Sequence, residues 1–123
     1  MTSKTFTIAA GLISASLLGA AAFAQTAWVE VDDQTMVAPF EANADTVDDW
    51  DVHAADGTKI GDIEEVVGTD AQAATALVVD FDGKGGYQDR DVVIPLDQFT
   101  WSENRLVLNA DVAAVDAMEV YND

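Results

Sequence analysis

Ala76-Leu77-Val78-Val79-Asp80-Phe81, then Asp82-Gly83-Lys84-Gly85-Gly86, then Asp91-Val92-Val93-Ile94-Pro95 is the stretch that decides the fold of this chain. Both apolar runs are short, rich in β-branched residues and bounded by Gly or Pro, which is the composition of strands. The Gly-rich segment between them turns the chain. Pro95 ends or edges the second run, because it has no N–H to donate. Apolar side chains occupy both faces: Leu77, Val79 and Phe81 alternate with Ala76 and Val78, and Val92 and Ile94 alternate with Val93. A half-exposed strand would carry polar residues on its outer face. One apolar set fills a core, and the other needs cover.

Working outward, Trp50 and Val52 alternate with Asp51 and His53, which predicts a half-buried strand. Ala55-Asp56-Gly57-Thr58 is a turn, and Ile60 to Val67 a strand whose alternation slips near Gly61, as a bulge would make it do. Asp70 to Ala73 turns the chain again. Arg105-Leu106-Val107-Leu108 reads as a last strand, with Val107 on the face opposite Leu106 and Leu108. Asp111 then caps a short helix through Met118. The expected architecture over 50–123 is mainly β: a small antiparallel barrel or rolled sheet of about five to six short strands, closed by a short C-terminal helix. Residues 25–49 form an N-terminal arm with little pattern. Trp28, Val29, Val31 and Met36 to Phe40 are too apolar for a purely disordered tail, so part of it packs on the domain.

The 123 residues suit one domain, and the charge balance, 5 − 23, is −18. Zero Cys excludes disulfides, thiolate zinc sites and a Cys nucleophile. The acidic excess argues against a nucleic-acid partner, since phosphate binding needs clustered Lys and Arg. Residues 1–24 read as a signal peptide: Lys4, an apolar run, then Ala22-Phe23-Ala24 before Gln25. The run is short of the roughly 20 residues that span a bilayer, so a cleaved leader and no membrane span thereafter are expected. The mature chain would then have 123 − 24 = 99 residues and a charge of 4 − 23 = −19, in the periplasm or outside the cell.

Asp56-Gly57-Thr58-Lys59-Ile60-Gly61-Asp62-Ile63-Glu64-Glu65-Val66 resembles the opening of the PRC-barrel family, where a D-G-x-x-I-G turn feeds the second strand. Ala76 to Asp80, the Gly85-Gly86 loop and Val92-Val93-Ile94-Pro95-Leu96 are similar to its central hairpin and V-x-(V/I)-P segment. Leu106 to Leu108, the short helix and Tyr121 are similar to its closing elements. The resemblance implies a stand-alone member of a family found in the photosynthetic reaction-centre H subunit and a ribosome maturation factor. The theme it implies is docking onto a partner rather than catalysis. The acidic, exported character and the loop Tyr87-Gln88-Asp89-Arg90 depart from those settings, so reaction-centre or ribosome binding does not carry over.

Several constellations invite chemistry. Asp80, Asp82 and Asp91 fall at positions 1, 3 and 12 of an EF-hand-like spacing with Gly85 at 6, a calcium-binding alternative. Lys84 stands at position 5, where an oxygen ligand belongs, and strands rather than helices flank the loop. His53 lies two residues from Asp51 on one strand face, but a metal site needs more convergent ligands. Ser102 and His53 match no nucleophile motif, and Gly83 to Gly86 lacks the phosphate-loop pattern. The reading is therefore a non-catalytic interaction module of the bacterial envelope, without a cofactor. Its partner is an unidentified protein or a second copy, and the alternative is a divalent-cation binder. Trp28, Trp50 and Trp101 are candidate interaction residues, together with the outer-face Val78, Val93 and Val107. The arm or the closing helix could instead cover that outer face.

So dense a negative charge repels itself in the compact state, and salt screens it within about 10 Å. The chemical-denaturation midpoint is expected to rise as NaCl is added; a midpoint indifferent to salt removes self-repulsion as a factor.

Overall fold

The structure, a computed structural model, describes residues 27–122, and the leader expected over residues 1–24 lies outside them. The principal sheet is built from β1 (Val29–Glu30), β4 (Asp51–His53), β5 (Lys59–Gly68), β6 (Ala76–Phe81), β7 (Asp91–Pro95), β8 (Phe99–Ser102) and β9 (Arg105–Leu108). A small hairpin joins β2 (Met36–Val37) to β3 (Ala42–Asn43). The helices α1 (Ala44–Val47) and α2 (Val112–Asp116) complete the elements.

The strand order is β7-β6-β5-β4-β9-β8, with β1 added to β5. The sheet curls into a half-barrel, so the mainly β expectation holds. It is mixed rather than wholly antiparallel, because β4 and β9 pair in parallel. The cause lies at Pro95: the chain turns a corner through Leu96–Gln98 and enters β8 without reversing its direction along the sheet. β9 then returns beside β4, which bends the sheet around its core.

β5 does most of the bending. Ile60, Ile63 and Val66 all enter the core although they stand three apart in a structure of period two. Each interval needs one extra residue, and the register slips accordingly. The slip expected near Gly61 lies at Ile60 against β4, and a second lies at Glu64 against β6. Gly61 itself pairs with both Val52 and Phe81; a Cβ there would sit 2.5 Å from the Asp80 carbonyl oxygen.

The core joins Leu77, Val79, Phe81, Val92, Ile94, Leu106 and Leu108. Phe81 stacks on Tyr87 at 5.0 Å, and the Tyr87 hydroxyl donates to the Ala110 carbonyl at 2.8 Å, tying the Gly-rich loop to the chain before α2. Burial, with Asp111 and Asp56 nearby, raises the Tyr87 pKa. Asp111 caps α2 by accepting from the Ala114 N–H at 2.9 Å, and Val115 faces the core.

The arm packs as well. Val31, Val37, Phe40, Ala44 and Val47 are buried in the same core, and Asn43 caps α1 through the Thr46 N–H at 3.0 Å. Thus apolar residues placed among the acids of 41–49 are the inward side of a short helix.

A second apolar cluster lies on the outer face, where Val67, Ala76, Val78 and Val93 are buried beneath Trp28 and Tyr121. The tail also runs along β7: Val93 N–H donates to Glu119 O at 2.8 Å and Tyr121 N–H to Asp91 O at 2.9 Å. Trp28→Ala and Tyr121→Ala are each expected to cost about 1–3 kcal/mol, as loss of partly buried aromatic cover does. In urea unfolding the double variant should depart from additivity by about 0.5 kcal/mol or more, because both rings seal one patch. Strict additivity would mean that the two rings act independently.

Candidate functional site

The outer face of the sheet has two halves with opposite fates. Over β5, β6 and β7 it is sealed by the chain's own ends, so Val78 and Val93, at 0% and 4% exposure, are not surface, and Trp28 is part of their cover. The cover comes from the arm and from the tail beyond α2, not from α2 itself. These three candidates therefore form an internal patch.

The other half, over β4, β9 and β8, stays open. Its register sets His53 beside Val107 and Val107 beside Thr100, with the Ser102–Arg105 pair next along the hairpin. Val52, Leu106, Leu108 and Phe99 point the other way into the core, so these side chains share the outward face. A cleft of about 280 Å³ lies over them, lined by His53, Gly57, Thr100, Ser102, Arg105 and Val107. Asn109 Nδ2 donates to Thr100 Oγ1 at 2.9 Å on the same side. Gly57 takes φ +94° in the turn before β5, and a Cβ there would stand 3.2 Å from Arg105 Nη1; the missing side chain makes room for the guanidinium.

A second cleft, of about 230 Å³, shares His53 and Arg105 and passes around to Trp50 and Trp101. These rings stack at 4.1 Å and 22°, and Phe40 meets Trp50 edge-on at 5.8 Å. Trp101 is 38% exposed, a large apolar surface at the rim of the half-barrel. The β8–β9 hairpin that carries it turns through Glu103 and Asn104, both in the left-handed region at φ 54° and 64°. Two consecutive positive φ values match the twist of such a hairpin.

Four cations are described, and their situations differ. Lys59 lies between Asp62 at 3.1 Å and Asp51 at 3.5 Å, and the Asp62 hydrogen bond and the two negative charges raise its pKa. Burial pushes Asp62 upward, but hydrogen bonding with Lys59 and Asp51 and the Lys59 charge together outweigh it, and the net shift is downward. Asp56, whose carboxylate accepts the Thr58 N–H at 2.9 Å, is lowered by that bond. Arg90 meets Asp116 at 3.4 Å, and Lys84 stands exposed on the Gly-rich loop. The Arg105 side chain lines both clefts with no ion pair or hydrogen bond to another described residue.

The calcium alternative finds no convergence. Asp80 and Asp91 face one another across β6 and β7, whereas the Asp82 carboxylate accepts the Lys84 N–H of its own loop at 3.3 Å. Among the described residues no group of three or more His, Cys, Asp or Glu is placed to hold a metal ion, at His53 or elsewhere. Ser102 and His53 line one cleft without a hydrogen bond between them.

The structure thus stacks Trp50 on Trp101 at the rim, sets Val107 apart from them on the outward face under the first cleft, and buries Val78 and Val93 beneath Trp28. Arg105 and β8 itself escaped sequence reasoning. The alternation of Phe99-Thr100-Trp101-Ser102 was the available strand signal, and one of only five basic residues in so acidic a chain was the charge signal.

A curled mixed half-barrel that presents an aromatic rim defines a small β-module. The chain belongs to the PRC-barrel family: residues 28–121 match the PRC-barrel domain, a span that begins at Trp28 and takes in most of the arm. No curated protein matches the chain. PRC-barrel domains are in general non-catalytic modules.

Because the three loop carboxylates do not converge, Ca²⁺ titration followed by calorimetry is expected to give only unsaturated, millimolar association, unchanged by Asp80→Asn. Micromolar binding lost in that variant would reinstate the loop as a calcium site.

Proposed function

We propose that this protein is an exported, non-catalytic interaction module of the bacterial envelope, docking a partner protein through the open β4–β9–β8 surface. The observation that carries this reading is the contrast between the two halves of the outer face. The chain covers one with its own Trp28 and Tyr121, and leaves the other open over Thr100, Val107 and an Arg105 that pairs with no described residue, beside the Trp50–Trp101 stack at the rim of the half-barrel. Aromatic and Arg side chains at a cleft rim are the residue types that carry binding energy at interfaces. The leader-like residues 1–24 support export, and the acidic surface speeds encounter with basic partners. Among the described residues no helix is long and apolar enough to cross a membrane.

A photo-crosslinking side chain placed at Thr100 in the native envelope tests this directly, with the exposed Gln88 as control position. A defined protein adduct is expected from position 100 and not from 88, reduced at least about fivefold by Trp101→Ala, as loss of a hot-spot aromatic would produce. The captured protein should begin at Gln25. Equal adducts from both positions, no adduct at 100, or retention of Met1 in the cytoplasm would each overturn the proposal.

A further inference from the structure

The cleft over β4, β9 and β8 is furnished chiefly with hydrogen-bond donors, and this limits what it can hold. Arg105 is the one cation among its lining residues. Its guanidinium lies against Gly57, in the turn that follows β4, and forms no ion pair with Glu103, the one acid in the lining. Thr100 Oγ1 already accepts from the Asn109 amide at 2.9 Å, so its hydroxyl proton is free to be donated outward. The Ser102 hydroxyl stands on the same face, on the residue that pairs with Arg105 across the hairpin. His53 completes the wall, and its Nδ1 is buried with no hydrogen-bond partner. Such atoms are few in native proteins, and each calls for an explanation.

The nearest acids outside the lining are already engaged. The Asp56 carboxylate accepts the Thr58 N–H at 2.9 Å, and Asp51 lies 3.5 Å from Lys59. A guanidinium fork matches a carboxylate with two parallel hydrogen bonds. The charge of the whole chain sets the ligand's own: at −18 it repels a dianion more than a monoanion, so one negative charge is the number that suits. At about 280 Å³ the cleft lies just below the range that holds drug-sized molecules, which leaves room for a small acid or for the end of a chain. Val107, Ala54 and Ala55 supply its apolar surface.

We propose that this cleft binds a small carboxylate of single charge, held by the Arg105 guanidinium and flanked by the Thr100 and Ser102 hydroxyls, with a short apolar body over Val107. Two sources offer that chemistry: a free short-chain acid, and the C-terminal carboxylate of a partner protein. The site stands on its lining residues alone, whereas the second source rests on the docking role proposed above.

Nuclear magnetic resonance titration at fixed ionic strength tests the site. The probes are butanoate, butanamide, sulfate, and N-acetyl-alanyl-valine with a free or an amidated C-terminus. Butanoate is expected to shift the Gly57, Thr100, Ser102 and Val107 amides and to bind about three- to tenfold more tightly than butanamide or sulfate. In Arg105→Gln, whose spectrum reports whether it folds, the preference for acid over amide should vanish; if that variant does not fold, the wild-type comparisons decide. A free-acid peptide at least about threefold tighter than both butanoate and its own amide assigns the carboxylate to a chain end, as the added main-chain contacts of a terminus would produce. A peptide no tighter than butanoate assigns it to a free acid, and either result upholds the site. Equal affinity for butanoate and butanamide, tighter binding of sulfate, a preference surviving Arg105→Gln, shifts centred elsewhere, or no binding would overturn it. The Thr100 crosslink decides the docking role separately, and its absence leaves a free-acid site standing.

Discussion

β6 is buried from both sides, and the rest of the molecule is arranged around that demand. Leu77, Val79 and Phe81 look into the half-barrel, whereas Ala76 and Val78 look out, and all five are essentially inaccessible. A sheet curled round a single core protects only the first set. The second would remain as exposed apolar surface, costing about 25 cal/mol for every Å² left in water. The chain meets this requirement with its two ends: Trp28 approaches from one side and Tyr121 from the other, the latter joined to Glu65 through its hydroxyl at 3.3 Å. The family match follows the same logic, starting at the first of these rings and finishing at the second.

That solution is local, and the function proposed grows from where it stops. The ends reach β5, β6 and β7 but not β4, β9 and β8. The uncovered half is less apolar, with Val107 set among Thr100, Ser102, His53 and Arg105, so it persists in water at lower cost. Its apolar weight is gathered at the rim in the Trp50–Trp101 stack. The corner at Pro95 matters here too. It carries the chain into β8 in an unreversed direction, which leaves β8 as a free margin and places the parallel β4–β9 pair under the cleft. Fold and surface are therefore consequences of one chain path.

Much of this was legible in the residues. Two-sided strands announce themselves by apolar residues at consecutive positions, and β6 and β7 were read with both faces assigned correctly. The turn at Asp56-Gly57 and the Asp111 cap have local chemistry that does not depend on distant contacts. The bulges were only half visible: Gly61 drew attention because it breaks alternation, but the slips fall at Ile60 and Glu64, where core residues spaced three apart must face inward. That spacing becomes informative only once the inward direction is known. Nor could strand order be read, since the parallel β4–β9 pairing depends on a corner whose direction three residues do not reveal. For the site, residue types nominated Trp50, Trp101 and Val107 together with Trp28, Val78 and Val93. Pairing was needed to show that Val78 and Val93 were already spoken for and that Arg105 was not.

Amide hydrogen exchange of the free protein, resolved residue by residue, tests the division between sealed and open halves most directly. If the termini seal β5 to β7 and β8 is an unoccupied margin, the β6 amides will exchange only with global unfolding, while outward-facing β8 amides exchange orders of magnitude faster through local opening. Protection of β8 equal to that of β6 would contradict the account, because it would mean that this margin is already closed.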